Sequence, residues 1–275
     1  MNYLSIYKKH LVYLILFIFS VFFNLYYGYR GVFPIDTFLA FDSGNNILNG
    51  HHPFKDYWSV TGPFVDYVQS FFFLIFGTNW FGYVLHASII NFIFVIFSYY
   101  FFINLGLNTS FSALYAIGVA ILAYPSAGTP FIDHHAYIFS ALSMFSFIFG
   151  ILKKKNIYWF LIPVFLAISF FSKQTLSVYL SLFFLVFFCF YYYFIKEKKN
   201  SYIIYSILGI LFVFIFLLAF VSINKIPIEN ILIQYIFYPS TIGEQRIENL
   251  SFDFKNLIAQ FKYIYLSIIP AIIVA

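Results

Sequence analysis

The side chains able to do chemistry are concentrated in one polar stretch, residues 30–77, which reads RGVFPIDTFLAFDSGNNILNGHHPFKDYWSVTGPFVDYVQSFFFLIFG. It carries Asp36, Asp42, Asp56 and Asp66, with Arg30, His51, His52 and Lys55 among them. Loop carboxylates suit general acid–base work, which needs one of them within hydrogen-bond reach of the proton it takes. Any of these acids could do such chemistry, and each has a plainer alternative. Asp36 precedes a helix-like stretch, TFLAFDSGNNILN, and could be its N-cap; Gly50 would end that helix. At about 100° per residue Asp42 points to a different face from Asp36. The two are therefore no paired carboxylates on one helix, although both could reach a shared cavity. Asp42 could equally be a solvated residue, and Lys55-Asp56 a local ion pair of little energetic worth. Asp66 opens a second apolar helix, where an acid suits the helix dipole. His51-His52 could bind metal, but no third ligand sits at a diagnostic spacing, and a turn exposing imidazoles is the other reading.

The elements that must position these groups are hydrocarbon. Of 275 residues, 63% are hydrophobic and 9% charged, against about 45–50% and about 25% in a soluble domain. The chain is expected to be an all-α polytopic membrane protein. Tyr and Trp favour the headgroup belt. The single cysteine, Cys189 in LFFLVFFCFYYYF, excludes an internal disulfide and a Cys-based metal site. The first apolar run follows Lys8-Lys9 and lacks a small-residue cleavage motif, so it reads as an uncleaved first span. About eight spans are expected, at 11–29, 80–104, 111–125, 137–152, 157–171, 176–195, 201–222 and 261–275. No internal repeat divides them, so residues 1–275 form one transmembrane domain. The last run stops at Ala275 without a polar flank, and the expectation is the N-terminal part of a longer chain.

Charge sorts the topology. Positive residues mark cytoplasmic loops. The clusters Lys8-Lys9, Lys153-Lys154-Lys155 and Lys196-Glu197-Lys198-Lys199 share a side only if 63–77 does not cross. As a helix that segment is about 22 Å long, short of a hydrocarbon core of about 30 Å. It is placed as a surface helix with Pro63 in its first turn and Gly77 at its end. Residues 30–79, 126–136 and 223–260 then form extracytoplasmic loops. They hold every acid except Glu197, a distribution that topology alone does not require.

The order of these features resembles the first outer loop of the GT-C superfamily of polyprenyl-phosphate-sugar glycosyltransferases. The likeness is to the branch with protein mannosyltransferases, aminoarabinose transferases and lipopolysaccharide-core sugar transferases. The features are Asp36 soon after the first span, a helix over 37–49, Gly50-His51-His52-Pro53-Phe54, Asp56, Gly62-Pro63, and a surface helix ending in Phe76-Gly77. The next span, WFGYVLHASIINFIFVIFSYYFF, fits the family's second, and the likeness covers about residues 1–180. The resemblance implies a GT-C-like fold and a sugar moved from a polyprenyl phosphate to a lipid, glycan or protein acceptor. It implies Asp36 as general base. Many relatives carry a second acid next to that base; here the position is Thr37, and Asp42 or Asp56 could stand in. It further implies Lys173, in FFSKQTL, for the lipid phosphate, where snorkelling into headgroups is the alternative, with Gln174 beside it for phosphate or sugar.

Asp133, His134 and His135, in TPFIDHHAYIF, could bond the sugar, assist proton transfer or hold a divalent ion, or simply form a polar turn over helix ends. Arg246 could grip a phosphate or belong to a solvated loop. No other cofactor is expected. His86 and Asn91 are expected to bond between helices. The absence of a phosphate-binding Gly-Lys loop or dinucleotide fingerprint argues against nucleotide chemistry, and the basic side is too sparse for nucleic acid. The localisation implied is a bacterial inner membrane, with the N-terminus cytoplasmic and the site extracytoplasmic. A transporter or flippase of lipid-linked sugars is the main rival. Against it, transporters place charges inside the spans, and these spans are nearly charge-free. A non-catalytic assembly subunit is the third reading.

Overall fold

The computed structural model describes residues 3–31, 36–194 and 200–242 continuously, and positions 255, 258, 259, 262, 265, 266 and 269 singly. Among the described residues the chain is helical and has no strand. The helices are α1 (Tyr3–Gly28), α2 (Leu39–Leu48), α3 (Pro63–Phe76), α4 (Trp80–Asn104) and α5 (Thr109–Leu122). They continue with α6 (Ile132–Lys153), α7 (Asn156–Ser172), α8 (Gln174–Phe194), α9 (Asn200–Asn224) and α10 (Ile228–Ile231), which runs into a π-helical turn over Leu232–Phe237.

Among the described residues, five segments are long and apolar enough to cross a bilayer: His10–Gly28 of α1, α4, α6, Gln174–Tyr191 of α8, and α9. The expected spans at 111–125 and 157–171 are present as α5 and α7, with 14 and 17 residues. At about 21 and 26 Å these fall short of a core of about 30 Å. The expected span 261–275 lies outside the continuously described residues.

The centre of the bundle is α4 and α6. Ala87, Ile90 and Phe94 pack on Tyr124, Ile138, Phe139 and Leu142; Leu16 of α1 packs on Val95, Tyr99, Ala116 and Ala120. Small and polar residues let these helices approach and bond across the interface. Asn91 Nδ2 donates to Ala120 O at 3.0 Å, Asn24 Nδ2 to Ser88 Oγ at 2.9 Å, and the Ser140 and Ser169 hydroxyls meet at 2.8 Å. By contrast α8 and α9 turn Leu182, Leu185, Val186, Phe212, Ile215 and Phe216 outward. In water that surface would be costly; it suits a lipid bilayer.

The short helices cover one end of this bundle. α2 stops as its sequence dictates: Gly50 adopts φ 86°, Gly50 N–H bonds Ile47 O, and His51 N–H bonds Asn46 O, the pairing that closes a helix on a left-handed glycine. α3 begins at Gly62, packed on Ile132 and near Ser172. It finishes at Gly77, beside Gly82 in the first turn of α4. Trp80 Nε1 donates to Gly28 O at the end of α1, at 3.0 Å. A helix that starts and ends at one end of a bundle lies across it and does not traverse it.

Three expectations are corrected. Asp36 is not an N-cap: that position in α2 is Phe38, with no side-chain cap. The loop 126–136 is shorter than drawn, because α6 starts at Ile132 and takes Asp133, His134 and His135 into its first turn, where an acid meets the positive end of the dipole. The loop 223–260 contains α10 and the π turn, built on the apolar run Ile231–Phe237.

Candidate functional site

The first loop is held in place from both sides. On the inner side, Ala40 of α2 and Val65 and Phe73 of α3 bury against Tyr83 of α4. Gly44 makes this approach feasible, since a Cβ there would sit 2.7 Å from Gln69 Cγ. On the other side Phe54 packs on Ile226 and Tyr235. Side-chain amides clip the extended stretch 50–62 to the late segment: Asn230 Nδ2 to Phe54 O at 2.7 Å, and Ser59 N–H to Gln234 Oε1 at 2.9 Å. Gln174 Nε2 bridges Val60 O and Tyr235 O, both at 3.0 Å. Gln174, expected to bind substrate, thus has its amide nitrogen committed to the backbone.

Between α2, α3 and the stretch 57–61 lies a cavity of about 170 Å³, in which Asp36, Ser43, Tyr57, Thr61 and Asp66 are set among Leu39, Ala40 and Val60, with Pro130–Ile132 along one wall. Asp36 is exposed and holds φ 65°, a left-handed conformation that Asp tolerates better than most residues. The residue after it is tied down by a hydrogen bond from the Tyr83 hydroxyl to Thr37 O. Asp66 is 5% exposed. Burial pushes its carboxyl well above the usual carboxylate range. Burial also pushes the Tyr57 hydroxyl up, and Asp66 adds to that shift.

Asp66 is the group that sequence reasoning undervalued. The available signal was its spacing: Asp66, Gln69 and Ser70 form a polar stripe on an otherwise apolar helix, and all three are buried.

Asp42 and Asp56 do not line the cavity. Asp42 is exposed in the first turn of α2. Asp56 Oδ2 accepts the His52 backbone N–H at 2.7 Å, and that bond holds its exposed carboxyl below the ordinary range. The expected Lys55–Asp56 pair is not formed; Lys55 Nζ donates to Asn224 O at 3.2 Å, at the end of α9. His52 Nδ1 meets the Tyr67 hydroxyl at 2.9 Å, and partial burial, then Lys55, push its imidazole down.

The Asp133-His134-His135 run divides among three surroundings. Asp133 Oδ1 takes a hydrogen bond from Lys173 Nζ at 2.5 Å. His134 Nε2 lies 3.0 Å from Ser126 Oγ, while its Nδ1 is buried without a partner. His135 is fully buried. Its Nε2 is 3.0 Å from His86 Nε2, and its Nδ1 2.7 Å from the Tyr124 hydroxyl. His86 Nδ1 in turn lies 2.9 Å from Gln69 Oε1. One proton order satisfies the row: Phe131 N–H to Tyr124 Oη, Tyr124 O–H to His135, His135 N–H to His86, His86 N–H to Gln69. His135 is therefore spent inside the bundle and not offered to a ligand. Among the described residues no three carboxylates, imidazoles or thiols converge as a metal site would need. Arg246 lies outside the described residues.

Asp133 and His134 also stand at one end of a second cavity, an apolar groove of about 700 Å³ between α4, α5 and α6. It runs from Ser126, Asp133 and His134 past Tyr137 and Phe94 to Phe102 and Phe145, about 18 Å along α6. Residues 130–132 wall the smaller cavity, and residues 133 and 134 wall the groove. One short segment thus divides a small cavity that carries two carboxyls from a long apolar slot. A scan against protein-family models, a search of curated proteins and a search of solved structures each return no match.

Proposed function

We propose that the chain is a membrane glycosyltransferase of GT-C type, moving a sugar from a polyprenyl phosphate to a lipid, glycan or protein acceptor. The observation that carries this reading is the carboxyl-bearing cavity and the long apolar groove on either side of residues 130–134. A lipid-linked donor and its acceptor need both: an apolar slot for the lipid chain, and beside it a small cavity with a carboxyl to receive the acceptor's hydroxyl. Asp133 lines the groove mouth, and the Lys173 bonded to it is the cation that in this reading meets the donor's phosphate.

In this mechanism the acceptor's O–H gives its proton to the Asp36 carboxylate as its oxygen attacks the anomeric carbon. The bond from that carbon to the phosphate oxygen breaks, and polyprenyl phosphate leaves with the electron pair. Lys173 offsets the growing charge, and the walls of the cavity hold the acceptor hydroxyl in line. The displacement inverts the sugar carbon. In the full reading, eight spans place residues 30–79 and the Asp133 end on the extracytoplasmic face of a bacterial inner membrane, with the N-terminus in the cytoplasm.

The test uses membranes containing the full chain and a panel of radiolabelled polyprenyl-phosphate hexoses and pentoses. Label leaving the lipid fraction in the wild type, and falling about 10²–10⁴-fold in Asp36→Asn at equal expression, is the expected result. Unchanged transfer in Asp36→Asn removes Asp36 from the role. No discharge of any donor by the wild type removes the reading.

A further inference from the structure

Asp66 is a buried carboxyl on the wall of the smaller cavity, and among the described residues it has no hydrogen-bond or ion-pair partner. Its surroundings are unusual for an acid. Among the described residues its other polar side chains are the Asp36 carboxyl, the hydroxyls of Ser43, Tyr57, Ser59 and Thr61 and the Trp58 indole, with no Lys, Arg or His. Ser59 Oγ already donates to Thr61 O at 3.2 Å. The Tyr57 hydroxyl is buried beside Ser43 but makes no hydrogen bond of acceptable geometry. Tyr57 and Asp66 are thus buried polar groups of the cavity with unused hydrogen-bonding capacity, and Asp66 is an acid.

Ionising such a group without a cation costs several kcal/mol, on the order of the penalty for an unpaired buried charge. Asp66 instead keeps its proton, in line with the upward push that burial gives it. A protonated carboxyl is a donor as well as an acceptor. The size of the cavity narrows its occupant. At about 170 Å³ it is below the roughly 300–1,000 Å³ of pockets that enclose whole ligands, so it takes one polar end of a molecule. Among the described residues the wall has no cation and includes Asp36, which disfavours a phosphate or carboxylate.

We propose that Asp66 is a substrate-binding residue, which donates a hydrogen bond from its carboxyl to a neutral sugar hydroxyl seated in the cavity beside Asp36. The choice of a sugar hydroxyl rests on the glycosyltransferase reading; the donor role of Asp66 rests on burial and the cavity. No proton is transferred by Asp66. It fixes the hydroxyl whose own proton Asp36 takes, and the two acids do different work because one is exposed and the other is walled in.

Two measurements on the purified full chain test this. Infrared spectroscopy at neutral pH is expected to show the carbonyl stretch of a protonated carboxyl, absent from Asp66→Asn and retained in Asp36→Asn. A spectrum without that band in the wild type overturns the proposal. Binding is read from the fluorescence of Trp58, which is exposed and lines the same cavity, with Trp58→Phe assigning the signal and methyl hexopyranosides as probes. Saturable quenching is expected in the wild type. Asp66→Asn, which can still donate through its amide, stays within about threefold, and Asp66→Val weakens binding at least about tenfold. No saturable response, equal binding in Asp66→Val, or tighter binding of ethanolamine than of the hexosides each overturns it. Should the hexosides bind through Asp66 while no polyprenyl donor is discharged, the role of Asp66 stands and the transfer reading falls.

Discussion

Lys173 Nζ donates to Asp133 Oδ1 at 2.5 Å, tying the junction of α7 and α8 to the first turn of α6. The side chains keep 31% and 43% of their exposure, so solvent screens the pair. Such pairs contribute about 0–1 kcal/mol. Lys173→Met and Asp133→Asn are therefore expected to change the melting of the detergent-solubilised chain little, equivalent to about 1 kcal/mol or less. Donor discharge separates them. Lys173→Met removes the cation at the groove mouth and is expected to cost at least about tenfold, whereas Asp133→Asn leaves the lysine in place and costs less. Equal losses in the two variants would give the pair a purely structural role.

What could be read in the sequence was what depends on local pattern. The apolar runs, the stop at Gly50, Pro63 at the start of α3 and Gly77 at its end all follow from short-range rules. Charge placed Asp133 and Lys173 at the same end of the bundle, and they are in fact bonded. Contacts over long separations were out of reach. Nothing in the spacing of Gln174, Val60 and Tyr235 announces the clip among them. His135 read as a substrate-binding candidate, with a polar turn as the alternative, because its burial depends on where His86 and Tyr124 arrive from other elements. Asp66 was taken for a helix-dipole acid, a reading that fits its position in the first turn but ignores the cavity that α2 completes around it.

The His86–His135 contact gives a prediction about stability. His86→Leu leaves Gln69 Oε1 and His135 Nε2 buried with no partner. Each such group costs about 1–3 kcal/mol, so the variant is expected to lose on the order of 2–5 kcal/mol. His86→Leu combined with His135→Leu removes both faces of the contact. The pair is expected to lose less than the sum of the single variants, with a coupling of about 0.5–3 kcal/mol. Strictly additive melting shifts would show that the two rings do not interact.

The path of α3 predicts labelling. Asn49 and Thr78 flank the helix and are exposed; Lys154 is exposed at the opposite end of the bundle, after α6. Single cysteines at these positions, in a Cys189→Ser background, are treated with an impermeant maleimide in intact cells. Asn49→Cys and Thr78→Cys are expected to react and Lys154→Cys to remain protected. Opposite results at Asn49→Cys and Thr78→Cys would mean that α3 crosses the bilayer, and the chamber shared with residues 130–132 could not form.

Asp66 predicts an unusual pH dependence of stability. Its folded carboxyl is pushed above the usual range by burial. Well below the unfolded value, near about 3.9, both states carry the proton and the group adds no penalty. As pH rises past that value the unfolded chain releases the proton while the folded chain keeps it. The folded state then binds more protons, and stability falls by up to about 1.4 kcal/mol per pH unit until the folded carboxyl itself ionises. Other carboxyls shift the profile as well, Asp56 in the opposite direction, so the comparison is between variants. Asp66→Asn, which cannot ionise, is expected to be more stable than the wild type at neutral pH, with the difference shrinking toward pH 4. Melting curves of the two proteins from pH 4 to 8 check this. A wild type that gains on Asp66→Asn as pH rises would mean that the buried carboxyl is ionised and that a cation faces it.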